Sequence, residues 1–261
     1  MDPAGRLGRM ALRTSTVDIP TSDGTADAFL AAPEDNHHHP AVLVLMDAFG
    51  LRPRLEMMAE RIADEGFLVL VPNLFYREGR APLIDTSDLM DPEARAGKFG
   101  TLMPWIRALT PERVASDADA YIDWLRAQDQ VSDGPMGVTG YCMGGAVALR
   151  TAAHRPDDVA AAAAFHPARL ATDAPDSPHL LADRLRAEVY VASADGDPGM
   201  PPEQQKRLDE ALTEAGVTHT CEQYDGAQHG FTMSDTAVYD HDATERHWRE
   251  LLHLLTRTLR T

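Results

Sequence analysis

Cysteine is scarce in this chain: two residues, Cys142 and Cys221, among 261. So few, in such unlike contexts, exclude a disulfide framework and point to a reducing compartment. Basic residues are also in deficit, with 24 Lys and Arg against 41 Asp and Glu and a net charge of −17. That balance argues against nucleic acid and anionic membrane surfaces as partners, because phosphate contacts need clustered cations. No run approaches the roughly 20 apolar residues of a membrane span. The opening MDPAGRLGRMALRTS lacks the apolar segment of a secretory signal. Internal repeats and a domain-splitting linker are missing too. The expectation is one domain over 1–261 in a cytoplasmic protein, with residues 1–14 as a loosely ordered arm. A chain of this length buries a two-sided sheet without a metal or disulfide staple.

What is present alternates short apolar runs with amphipathic segments, the pattern of a mostly parallel sheet covered by helices on both faces. Residues 16–19 and 27–31 flank SDG and read as an opening hairpin. AVLVLM from Ala41 and FLVLVP over 67–72 are continuously apolar, as strands buried on both faces are. Leu55, Met58 and Ile62 recur at helical spacing between them. Residues 74–109 are irregular and read as loops and short helices flanking a site. Thr110 then caps a helix with Pro111 at its first position and Val114, Ala118, Tyr121, Ile122 and Leu125 along one face. Strands at 159–165, 188–193 and 218–224 and a helix at 202–215 follow. A last helix carries Trp248, Leu251, Leu252, Leu255 and Leu259 on one stripe.

Between the strand MGVTG (136–140) and the helical AVALRTAAH lies Gly140-Tyr141-Cys142-Met143-Gly144-Gly145. This G-x-C-x-G is the cysteine form of the strand-to-helix turn on which α/β-hydrolases raise their nucleophile, and its glycines answer a backbone crossing too close for a Cβ. A thiol there faces a helix N-terminus, which favours the thiolate. Against this stands the inert, core-packed role of most free cysteines, the reading given to Cys221. The partners are expected in the order nucleophile, acid, histidine. Asp197 in SADGDPGMP and His229 in DGAQHGF each follow an expected strand, with Asp195 the alternative acid two residues away.

With these residues in view, the chain resembles the dienelactone hydrolase (carboxymethylenebutenolidase-like) family, from the opening hairpin to the last helix. The resemblance rests on MDAFGLRP, VPNLFYR, GYCMGG, DGDPGMP and AQHGF. It implies an α/β-hydrolase fold and a cofactor-free, metal-free enzyme, monomeric or a small homo-oligomer, that cleaves a small ester or lactone. Cys142 then attacks the carbonyl, His229 shuttles the proton, Asp197 orients the imidazole, and the N–H groups of Met143 and Ala48 hold the oxyanion. Family members carry a glutamate after the first buried strand that contacts the resting thiol. Its match is Asp47, one methylene shorter, with a loop-turn role as the alternative.

Phe49, Tyr141 and His166 are expected around the pocket. Where the family places an arginine after the catalytic histidine, this chain has Met233, and Arg95, Lys98 or Arg107 are the candidate replacements. An uncharged or bulkier ester fits as well as a dienelactone. His37-His38-His39 is set aside as a metal site, since adjacent residues do not converge on one ion. Two other readings use the same residues: a thiol-based redox or electrophile sensor, and a non-catalytic binding module.

Overall fold

The computed structural model describes residues 10–260. The arm expected over 1–14 therefore falls largely outside the described residues, and the part that is described is strand from Leu12 onward. The opening hairpin pairs β1 (Leu12–Thr21) with β2 (Gly24–Pro33) in antiparallel register and is longer than the sequence pattern suggested. The strands that follow are β3 (Ala41–Leu45), β4 (Leu68–Pro72), β5 (Met136–Tyr141), β6 (Val159–Phe165), β7 (Glu188–Ala194) and β8 (His219–Tyr224). They form one eight-stranded sheet in the order β1-β2-β4-β3-β5-β6-β7-β8. Every pair from β4 to β8 is parallel. Parallel neighbours require crossovers, and these carry α-helices except between β6 and β7, where a 3-10 helix spans Pro178–Arg184.

The α-helices are α1 (Pro53–Ala63), α2 (Pro92–Gly97), α3 (Phe99–Ala108), α4 (Pro111–Arg126), α5 (Met143–His154), α6 (Pro202–Glu214) and, after the last strand, α7 (His241–Leu259). Side chains alternate across a strand, so β5 shows that both faces are covered. A Cβ on Gly137 would meet Leu255 and Leu259 of α7, and Tyr141 on the same face reaches His247 of α7. Gly140, on the opposite face, lies against α5. The alanines of β6 from Ala161 to Ala164 are fully buried.

One expectation needs correction. The stripe of α7 buries Leu254 where Leu252 was expected, with Trp248, Leu251, Leu255 and Leu259 as read from the sequence. The irregular stretch 74–109 contains α2 and α3, but it is shallowly seated: α2 buries no residue and α3 only Leu102. Two ring contacts tie α3 inward, Phe99 on Phe49 and Trp105 on Phe75, both at 5.6 Å between centroids.

Candidate active site

The parallel strands all deliver their following loops to one edge of the sheet, where ligands of open α/β sheets bind. At that edge β5 turns into α5 through Cys142, whose backbone sits at φ 55°, ψ −119°. A non-glycine residue held there carries strain of about 1–3 kcal/mol, tolerated only where its surroundings fix it. Here the Cys142 N–H donates to the Phe165 carbonyl at 3.1 Å, and the Gly145 N–H donates to the Cys142 carbonyl at 3.1 Å. The flanking glycines are obligatory. A Cβ on Gly140 would stand 2.7 Å from the Gly145 nitrogen and nearer still to the Gly144 carbonyl. One on Gly144 would stand 2.6 Å from the Met46 oxygen. The turn leaves Cys142 half-buried at the N-terminus of α5. The N–H of Met143, in the first turn of that helix, has no carbonyl four residues back to serve.

His229, on the loop after β8, hydrogen-bonds the Cys142 thiol and, through Nδ1, Asp197 Oδ2 at 2.5 Å. Burial alone lowers the His229 pKa. The interactions with Cys142 and Asp197 outweigh it and push the value up to about 10. Asp197 is buried after β7, and its Oδ1 accepts the Gly199 N–H at 2.7 Å, which fixes the carboxylate. Asp195 is exposed and serves the β8 turn, accepting from Gln223 and from the Gly226 N–H. The geometry thus brings Cys142, His229 and Asp197 into one chain of contacts and leaves Asp195 out.

The remaining sequence candidates fall in different places. Ala48 is buried on the loop after β3, and Phe49 is half-buried beside it, edge-on to Phe99. Asp47 turns both carboxylate oxygens to Arg52, at 2.6 and 3.0 Å. Tyr141 is fully buried and pairs with His247 Nε2 at 2.9 Å, so it joins β5 to α7 and does not face the cleft. His166 is fully buried as well, which corrects the expectation that it lines an open pocket. Its ring lies edge-on to His229 at 5.4 Å, and its Nε2 pairs with Thr232 Oγ at 2.8 Å. Burial, reinforced by the charges of His229 and His247, holds its pKa well below the ordinary range. His166 supports the candidate base from behind.

The candidate cations differ in their surroundings, and Arg95 is half-buried on α2. Lys98 is paired with Asp88 at 2.7 Å, Arg107 is exposed, and Met233 is buried beyond His229. Cys221 is only half-buried rather than core. It lies with Asp209 and His219, their ligand atoms within 4.8 Å of one another, and burial pushes its thiol up to about 12. In the 37–39 run, His39 bridges Asp35 and the Gly66 carbonyl, and His37 Nδ1 stands 3.5 Å from the other Asp35 oxygen.

Sequence reasoning missed Arg52, Asp235 and His247. His247 could have been found, because it shares the buried α7 face with Trp248, Leu251 and Leu254. Nothing in LRPRLE distinguishes a buried Arg52 from an exposed one.

Among solved structures, the chain superposes on a candidate dienelactone hydrolase from Klebsiella pneumoniae with a TM-score of 0.82 at 24% identity, covering 95% of this chain and 99% of that one. It matches a dienelactone hydrolase-like promiscuous phosphotriesterase from metagenomic libraries with a TM-score of 0.75 at 25% identity and the same coverage. In sequence it is 28% identical over 239 residues to a candidate carboxymethylenebutenolidase of Methylorubrum extorquens, covering 90% of this chain and 78% of that protein. Residues 26–259 match the dienelactone hydrolase family, and the chain belongs to that family of α/β-hydrolase-fold enzymes.

Proposed function

We propose that this family member cleaves a small, uncharged ester or lactone through Cys142. The observation that carries the reading is the contact chain Cys142–His229–Asp197, with its first member on a strained turn at a helix N-terminus. The Cys142 thiolate attacks the carbonyl carbon. The N–H groups of Met143 and Ala48 receive the developing oxyanion. As the tetrahedral adduct collapses, the C–O bond breaks and His229 gives its proton to the leaving alkoxide. A thioester remains. Water then adds to it, His229 takes the water proton, and collapse expels Cys142 as the thiolate with the carboxylic acid as product. Asp197 keeps the Nδ1 proton on its own side, so Nε2 faces the thiol throughout.

Support for an uncharged acyl group comes from Met233 after the histidine and from two paired cations, Lys98 held by Asp88 and Arg52 by two carboxylates. The Phe49–Phe99 pair adds an apolar wall beside Ala48.

The test is hydrolysis of p-nitrophenyl esters, with and without an acyl carboxylate, and of a dienelactone. Wild type should turn over the uncharged esters, and Cys142→Ala should lose at least about 10⁴-fold in kcat, the scale on which removing a nucleophile acts. Equal turnover by wild type and Cys142→Ala would exclude the thiol mechanism. A preference for the anionic substrates would overturn the substrate class.

A further inference from the structure

The chemistry proposed above needs two loops side by side: the one after β3, which carries Ala48, and the one after β8, which carries His229. One side chain joins them. Arg52, at the end of the first loop, is 2% exposed, and all five of its N–H donors are engaged. Nη1 donates to Asp47 Oδ1 at 2.6 Å and to the Gly50 carbonyl at 3.1 Å. Nη2 donates to Asp47 Oδ2 at 3.0 Å and to Asp235 Oδ1 at 3.3 Å, and Nε donates to Asp235 Oδ2 at 2.6 Å. Asp235 belongs to the His229 segment. Arg54, two residues on, adds a second tie by donating to the Thr232 carbonyl at 2.5 and 3.2 Å.

We propose that Arg52 is a positioning residue that clamps the Ala48 loop to the His229 loop, and that Asp47 works through Arg52 rather than on the Cys142 thiol. The inference rests on the hydrolase reading. Asp47 is itself nearly fully buried, and its Oδ1 also accepts the Phe49 N–H at 3.0 Å. Reaching the thiol would require it to leave a desolvated, two-pronged ion pair for a weaker partner. Two carboxylates share one guanidinium, so loss of Arg52 leaves like charges facing each other across the seam between the loops. Lysine cannot substitute, because a point charge with three donors does not reproduce the fork.

Three variants test this in the full chain. In Asp235→Asn and Arg52→Lys, kcat should fall about 10- to 100-fold with KM changed less than about threefold, the signature of displaced groups rather than lost binding. Asp235 is partly exposed, so Asp235→Asn reports even where Arg52→Lys folds poorly. In Asp47→Asn, the rate of Cys142 alkylation by iodoacetamide against pH should superimpose on that of Asp235→Asn, since both act through Arg52, a readout independent of turnover. Wild-type kcat in folded Asp235→Asn, or an alkylation profile in Asp47→Asn that departs from that of Asp235→Asn, would overturn the clamp. A wild type that alkylates but hydrolyses no ester would instead count against the hydrolase reading, with the alkylation profile still deciding the role of Asp47.

Discussion

At the scale of single residues, the proton on His229 decides the working pH range. Its pKa is raised to about 10 by Cys142 and Asp197 against the opposing effect of burial. On the mechanism proposed above, the group that protonates the leaving alkoxide stays charged through neutrality. The alkaline limb of the kcat/KM profile should lie near pH 10 rather than near the 6.5 of a free imidazole. Asp197→Asn should move that limb downward and lower kcat by roughly 10³- to 10⁴-fold, because the imidazole loses its orienting acceptor. A limb unmoved by Asp197→Asn would show that the carboxylate does not act on His229. The candidate cysteine and histidine stand out in the sequence because of their neighbours: glycines at 140, 144 and 145, and an AQHGF segment between a strand and the last helix. The acid was legible only to within two residues. Asp195 and Asp197 share a turn, and what separates them is which carboxylate is buried against His229, a matter of loop path that spacing does not encode.

At the scale of elements, the β5–α5 turn is the least adjustable join in the molecule. The clash introduced by a Cβ on Gly140 is with backbone atoms of residues 144 and 145, which cannot rotate away. Gly140→Ala should cost more than about 3 kcal/mol, since relief requires moving the helix start. Urea denaturation measures it, and a loss under about 1 kcal/mol would mean that the turn relaxes. Tyr141→Phe probes the opposite face of the same strand: it leaves His247 Nε2 buried without its partner and should cost about 1–3 kcal/mol. Strand order along the chain was legible because buried parallel strands are uniformly apolar, as AVLVL and VAAAAAF are. Short helices were expected over 74–109, but their bounds were not legible, because they face the solvent too broadly to show a clean stripe, and Pro104 sits inside one of them. Arg52 was invisible for the complementary reason, since its burial depends on Asp235, 183 residues away.

At the scale of the whole molecule, three histidines give stability opposite dependences on pH. His247 is held neutral by burial, its pKa lowered to about 3, and His166 is lowered well below the usual value. A depressed histidine contributes stability that is fully present above the unfolded value of about 6.5 and is lost as pH falls toward its folded pKa. His229 runs the other way, its contribution complete below about 6.5 and lost as pH rises through about 10. The urea midpoint should therefore drop already between pH 6.5 and 5, above the range where carboxylates titrate, and the drop should be shallower in His247→Phe. A midpoint flat across that interval in wild type would mean that the two buried rings are protonated in the native state.

The shallow seating of α2 and α3 has a consequence for how such an enzyme diversifies. Helices that bury one leucine between them, and touch the framework through two aromatic contacts, contribute little to holding the sheet together. On the function proposed above, selectivity and reactivity lie on separable stretches of the chain. A transplant of residues 91–108 from a homologue should re-rank the esters accepted while leaving the rate of Cys142 alkylation where it was.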